Sequence, residues 1–433
     1  MVDEDTEMLP GDVSEAALHA EHLLGCRRNK VPLARTSQPR RRLSRIDHHA
    51  AKRAGRAAGW LVRFASLLSA AMLAAGTAAP ALSGGRLHVS MSGSDVNEGT
   101  ANAPLRTIQR AADLAQPGTT VHVAPGVYDE TIHSYIDGTD DAPVRFVSDR
   151  QKAAVIRPSA ADGAIWENSA DHVIIEGFEI DGSNSPAVRV GIAAHGNHIR
   201  VRSNKVHHIL QEGANDSNGG AGIVLNGGYY GEVDEHAVGN EVHHIGTAGS
   251  NRVHGIYHQS TGSIVNNLVH SNPGLIGIVL WHDAKDVTIA NNTVCGNAVG
   301  ISVGSGDWYQ MRAPADNVTV VNNLVYDNAS VGIQEHGVTG TRNVYRNNLV
   351  YGNGVNWSLQ NGLTHHGTIS ADPGFVRYAA GERRDYRLLP NSPAIDAGTA
   401  AGAPPDDMDG LRRPYGAAPD IGAYEWRPAR SPD

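Results

Sequence analysis

Between residues 252 and 336 the chain gathers side chains suited to proton transfer: His254, Tyr257, His258, His282 and His336, with Trp281, Asp283 and Glu335 among them. An imidazole or phenol can remove the proton α to a carboxylate, and a second such group can protonate a departing oxygen. Those two steps, with the carboxylate neutralised, are the β-elimination that cleaves uronate-containing polysaccharides. A cation, Arg252 or Arg312 could neutralise it. Lysine is a less suitable base here: only Lys152, Lys205 and Lys285 follow residue 83. Trp281 is placed to stack on a sugar ring. Two aromatic loops, Gly304–Gln310 with Trp308 and Tyr309 and Asn226–Glu232 with Tyr229 and Tyr230, read as groove walls. The plain alternative is packing, since a lone histidine on a strand is usually a satisfied structural residue.

The elements that position these groups are repeats. Gly-Ile recurs at Gly191, Gly222, Gly255, Gly277, Gly300 and Gly332, and Asn-x-Val at Asn204, Asn240, Asn267, Asn292, Asn323 and Asn348. Spacings of 22 to 36 residues are those of a solenoid. Within a repeat, Val287-Thr288-Ile289-Ala290 alternates with the period of a strand. No repeat carries a helical apolar stripe, which excludes helical and leucine-rich repeats. The recurrent Asn suits a left-handed bend between strands, its amide stacking in an internal ladder. The expected fold is therefore an all-β parallel β-helix. If each Ile points inward, the first and third residues after it point outward, so Tyr257, Trp281 and His336 share one groove. The same alternation turns His258 inward, unless the strand breaks at Tyr257.

The ends differ from the middle. Leu105, Ile108, Ala111, Ala112 and Ala115 share one face of a capping helix expected over about 104–116, while 373–433 loses the repeat and reads as an irregular C-terminal cap. Residues 1–83 read as a basic leader and secretory signal: arginines cluster over 27–56, an apolar run spans about 64–75, and Ala-rich sequence follows. The β-helix is then 84–372, and the working part lies outside the cytoplasm, secreted, periplasmic or on the surface of a bacterium. A formal charge of −9 disfavours nucleic acid, and no membrane segment is expected beyond the signal. Of two cysteines, Cys26 falls in the leader and Cys295 replaces the Tyr326 or Tyr351 of sister repeats, as a packing thiol. Asp216, Glu232, Asp234 and Glu235 could offer oxygens to Ca²⁺, without any fixed-spacing calcium loop.

Val89-Ser90-Met91-Ser92-Gly93-Ser94-Asp95, Pro104-Leu105-Arg106-Thr107-Ile108-Gln109 and Val123-Ala124-Pro125-Gly126-Val127-Tyr128 resemble the start of bacterial secreted right-handed β-helix proteins of the pectate-lyase-like superfamily. Asn391-Ser392-Pro393-Ala394-Ile395-Asp396-Ala397-Gly398 and Asp420-Ile421-Gly422-Ala423-Tyr424-Glu425 are similar to a C-terminal segment common in them. The resemblance implies a right-handed coil and leaves the reaction open among lyases, hydrolases, C5-epimerases and proteins without known activity. The Gly-His-Gly and Arg-Ile-Lys phrases of polygalacturonase-type hydrolases are missing. Gly255-Ile256-Tyr257-His258-Gln259 stands where alginate epimerases of this fold carry Asp-Pro-His. The aspartate cluster of calcium-dependent pectate lyases is also missing.

The reading is a monomeric, secreted polysaccharide lyase acting on an acidic polysaccharide. C5-epimerisation and hydrolysis in the same groove, the latter using Asp283, Asp307 or Glu335, are alternatives. A non-catalytic glycan-binding solenoid is the rival from another class.

Overall fold

The computed structural model describes residues 85–428, apart from 162, 211–218, 226–232, 251, 307–313 and 379–383. The leader lies outside the described residues. So do Asp216, Tyr229, Tyr230, Glu232, Asp307, Trp308, Tyr309 and Arg312.

Each coil is built from three short strands. In one coil they are Val287–Ala290, Thr293–Cys295 and Val299–Ser305. Each strand pairs in parallel with its counterpart one coil away, giving, among the described residues, parallel sheets of eleven, nine and nine strands and one two-stranded hairpin. The fold is the expected right-handed parallel β-helix, with successive coils about 4.8 Å apart. No helix among the described residues is long and apolar enough to cross a membrane.

The inward isoleucines are where alternation puts them. Ile192, Ile223, Ile256, Ile278, Ile301 and Ile333 are fully buried and lie in register across the third sheet. The two recurrent phrases are halves of one contact. A Cβ on Gly255 would stand 2.8 Å from Val269 Cγ1 and 2.5 Å from the Gly277 carbonyl oxygen. Only glycine lets the valine of the next coil fill that space.

The asparagines form the expected ladder at the turn between the first and second sheets. From Asn204 to Asn348 each Nδ2 donates to the Oδ1 of the next, at 3.2, 3.0, 3.0, 2.9 and 3.0 Å. The left-handed residue, however, is the one before each ladder asparagine: Ser203, Gly239, Asn266, Asn291, Asn322 and Asn347. This differs from the expectation because the ladder amide must point inward from an ordinary backbone, while its neighbour makes the bend. A second ladder runs Asn272, Asn297, Asn328 and Asn353.

The capping helix is shorter than expected, Ile108–Leu114, with Thr107 as N-cap. Its Ile108, Ala111 and Ala112 are buried, and Glu130 accepts from the free amides of Ile108 and Gln109 at 2.9 Å each. At the other end Trp357, Leu359 and Leu363 pack on the interior. The C-terminal segment folds back over a flank. Phe375, Tyr386, Leu388 and Ile421 cover Leu268, Cys295, Leu324 and Leu349 on the outer face of the second sheet. Cys295 is a packing thiol there, fully buried, and burial pushes its pKa well up.

Replacing Asn292 by Ala removes two acceptor contacts to Asn267 and two donor contacts, to Ile264 and Asn323. Each buried group left unpaired costs about 1–3 kcal/mol. Denaturant unfolding should therefore show a loss of at least about 3 kcal/mol; a loss below about 1 kcal/mol would mean that the ladder does not carry the register.

Candidate active site

The outer face of the third sheet gathers most of the described candidate side chains. On the strand Val253–His258, His254 and Tyr257 are half-buried and face out, while Ile256 and His258 face in. Their rings meet edge to face at 5.2 Å. One coil on, the strand Ile276–Leu280 presents Ile276 and Val279 in register with them, and the chain then turns through Trp281, His282 and Asp283. His282 takes a left-handed conformation (φ 57°), and its carbonyl accepts from Ser305 Oγ at 2.5 Å. That turn brings its ring to 6.2 Å from Tyr257. His254, Tyr257 and His282 thus form one row.

A second pair lies beyond it. Trp281 stacks on His336 at 5.4 Å, although a full coil separates them. The intervening position is Gly304, in register with His336, where a Cβ would come within 3.0 Å of the indole. The missing side chain lets the two rings meet across it. His336 is exposed and Trp281 half-buried; Asp283 is half-buried in the turn, and Arg252 is exposed at the head of the first strand.

Apolar packing dries this face. Ile276, Val279 and Val299 form a buried cluster with Tyr257, Leu275 and Val331. Desolvation holds the His254 imidazole at a pKa of about 4, so it is neutral at neutral pH. Its Nδ1 is shielded from solvent and has no hydrogen-bond partner among the described residues.

Two expected site residues are turned into the solenoid. His258 is fully buried, in register between Leu225 and Leu280. Its Nε2 lies 3.1 Å from the Glu235 carbonyl oxygen and its Nδ1 accepts from the Ser260 amide at 3.3 Å. The strand does not break at Tyr257, so alternation prevails, and His258 is corrected to an interior residue. Glu335 occupies the same inward position three coils on and is 3% exposed. It accepts from Asn343 and Tyr345 at 2.8 Å and the Gln360 amide at 2.9 Å. It holds the last coils together and does not face substrate.

Of the acidic residues offered for calcium, the two that are described bond to neighbouring side chains. Asp234 bonds His198 and His236, both at 2.9 Å, and the Glu235 side chain is fully buried against Ser260. Of the lysines, Lys152 and Lys205 pair with Glu241 and Glu179 on the second sheet, and Lys285 is exposed.

Sequence reasoning missed two histidine clusters. One lines a small cavity at the entry to the first sheet, with Asp140, His172, His198, Arg200 and Asp234. The other is on the second sheet, at His207-His208, His243-His244 and His270. Its signal was legible, since the Asn-x-Val phrase runs on as Val-His-His-Ile in two consecutive coils.

His258 gives the fold a measurable acid sensitivity. Burial lowers its pKa from 6.5 to about 4. Between those values the unfolded chain binds a proton that the folded chain does not, so stability falls as pH drops through that window. One pKa unit is about 1.4 kcal/mol, which makes the full loss about 3 kcal/mol. In His258→Leu that pH slope should shrink; an unchanged slope would place the acid sensitivity elsewhere.

The description "Pel9A-like, right handed beta helix region" matches residues 87–273, and "right handed beta helix region" matches 190–371. The uncharacterised protein YwoF of Bacillus subtilis (strain 168) is 26% identical over 332 residues, 62% of this chain and 68% of its own. The structure of pectate lyase Pel9A superposes with a TM-score of 0.53 at 19% identity, over 79% of this chain and 96% of that one. The A-module of the Azotobacter vinelandii mannuronan C-5 epimerase AlgE4 gives 0.46 at 18% identity, over 61% and 70%. With the three stacked parallel sheets, the matches along residues 87–371 identify the chain as a pectate-lyase-like right-handed β-helix protein.

Proposed function

We propose that the protein is a carbohydrate-active enzyme that cleaves an acidic, uronate-containing polysaccharide by β-elimination, outside the cytoplasm, on the outer face of its third sheet. The observation that carries this reading is the row of His254, Tyr257 and His282 on the outer face of the third sheet, with desolvation keeping the His254 imidazole neutral. His254 takes the proton α to the uronate carboxyl group. The C4–O bond breaks as the double bond forms, and Tyr257 protonates the departing oxygen. Trp281 and His336 offer their stacked rings to a neighbouring sugar. Arg252, or a bound cation, neutralises the carboxylate as charge develops.

C5-epimerisation begins with the same proton removal and differs in returning the proton from the other face. Hydrolysis needs two carboxyl groups about 5–9.5 Å apart. Glu335 is engaged inside the solenoid, so among the described candidates Asp283 stands without it.

The test is ultraviolet absorbance of the carbon–carbon double bond formed next to the carboxylate, with a panel of uronate polysaccharides and with or without Ca²⁺. The wild-type chain should produce a rise, and His254→Ala or Tyr257→Phe should slow it at least about 100-fold. Silence across the panel, with no solvent deuterium entering the polymer, would leave a glycan-binding solenoid instead.

The pH profile gives an independent check. A base with a pKa of about 4 stays neutral, and the rate stays level, as pH falls from 7 toward 5, with loss only as pH falls through about 4. A half-maximal rate near 6.5 would remove His254 from the role of base.

A further inference from the structure

The second sheet carries a seam of imidazoles on a face that the proposed reaction does not use. His207, His243 and His270 are in register on consecutive coils, with ring centroids 5.0 Å apart at each step. His208 and His244, each in the left-handed conformation, stack beside them at 5.0 Å. We propose that this seam holds a divalent transition-metal ion of the zinc, nickel or copper type, bound by Asp181, His207 and His208.

The donor atoms already converge. Asp181 is in register with His207, and its Oδ1 lies 3.6 Å from His207 Nδ1. His207 Nδ1 lies 2.6 Å from His208 Nδ1, closer than the usual 2.7 Å lower limit of a nitrogen hydrogen bond. The two rings are crossed at 79°, so the nitrogens meet without the rings lying face to face. One donor atom from each of the three residues falls within 4.8 Å of the others. Small side-chain rotations bring all three within the metal–ligand distance of about 2.0–2.2 Å.

The surroundings prepare those donors. His207 Nε2–H donates to Glu179 Oε1 at 2.8 Å, the tautomer in which Nδ1 is the bare nitrogen. A carboxylate behind a ligating histidine is the usual outer partner of a metal site. Arg157 binds Asp181 Oδ2 at 2.6 Å and leaves Oδ1 toward the histidines, where it also accepts the Ser183 amide at 2.9 Å. A metal requires a carboxylate and bare imidazole nitrogen, and Asp181, His207 and His208 supply those donor types. Nitrogen and oxygen donors without thiolate suit zinc, nickel and copper.

The same 2.6 Å approach recurs one coil on between His243 and His244. There Glu241 faces both His243 and His270 and makes a second group of three. Lys152 binds Glu241 and Arg384 reaches Ser271 beside His270. Cations flank both groups, but Asp181 Oδ1 faces the close Nδ1 pair itself at 3.6 Å, whereas Glu241 meets the Nε2 side of His243 and His270 at 4.0 and 3.8 Å, which favours the first.

The experiment uses the full chain, stripped with a chelator and titrated with Co²⁺ while its visible ligand-field bands are followed, then with Zn²⁺ by calorimetry and thermal melting. The wild type should bind Co²⁺ with bands typical of nitrogen and oxygen coordination, and Zn²⁺ should raise its melting temperature. His208 is partly exposed, so His208→Ala should fold and should weaken binding by more than the about 10- to 100-fold expected for the outer partner in Glu179→Gln. Absence of bands in the wild type would overturn the proposal. So would bands that survive unchanged in both variants, or that vanish only in His270→Ala.

Discussion

A buried asparagine amide has two donor positions and two acceptor positions to fill, and inside a stack of parallel coils the nearest group able to fill them is the same amide one rung away. From Asn204 to Asn348 every ladder Oδ1 beyond the first accepts both the side-chain and the backbone N–H of the previous rung. A slip of one residue between coils would strand all of these groups at once. The ladder therefore fixes where each coil begins its second strand, and the positions that follow inherit that register.

Register turns sequence phrases into columns, and columns determine chemistry. On the third sheet the inward column after the isoleucines runs through Leu225, His258 and Leu280, and the outward positions beside it carry Tyr257, Trp281 and His336. On the second sheet one outward column reads Asp181, His207, His243, His270, Cys295, Tyr326 and Tyr351. Acidic and imidazole groups occupy one end and apolar and aromatic ones the other, where the returning C-terminal segment docks. A small shift of the ladder would break up both groups of side chains together.

Much of this was legible in the chain. The inward isoleucines, the stacked asparagines, the capping helix and the outward Tyr257, Trp281 and His336 follow from spacing and alternation, whereas the His282 ring reaches Tyr257 through a left-handed turn. The charge of Glu335 suggests the groove while its parity points it inward, where Asn343, Tyr345, the Gln360 amide and Thr339 donate to it. For His258 the alternation was sound, and the exception allowed for it was unnecessary. The return of the C-terminal segment could not be read locally, because its docking surface is made of Leu268, Cys295, Leu324 and Leu349, one from each of four coils. The histidine seam is visible as repeated Val-His-His-Ile, but the 2.6 Å approach of neighbouring Nδ1 atoms comes with the left-handed turn at His208 and His244, which adjacency alone does not reveal.

The central claim concerning function is that proton removal on this face ends in bond cleavage without water. Mass spectrometry of oligouronates after incubation with the full chain reads that outcome directly. The account predicts fragments with an unsaturated non-reducing end, lighter by one water than the products of hydrolysis. Saturated fragments, or oligomers left uncleaved, would contradict it.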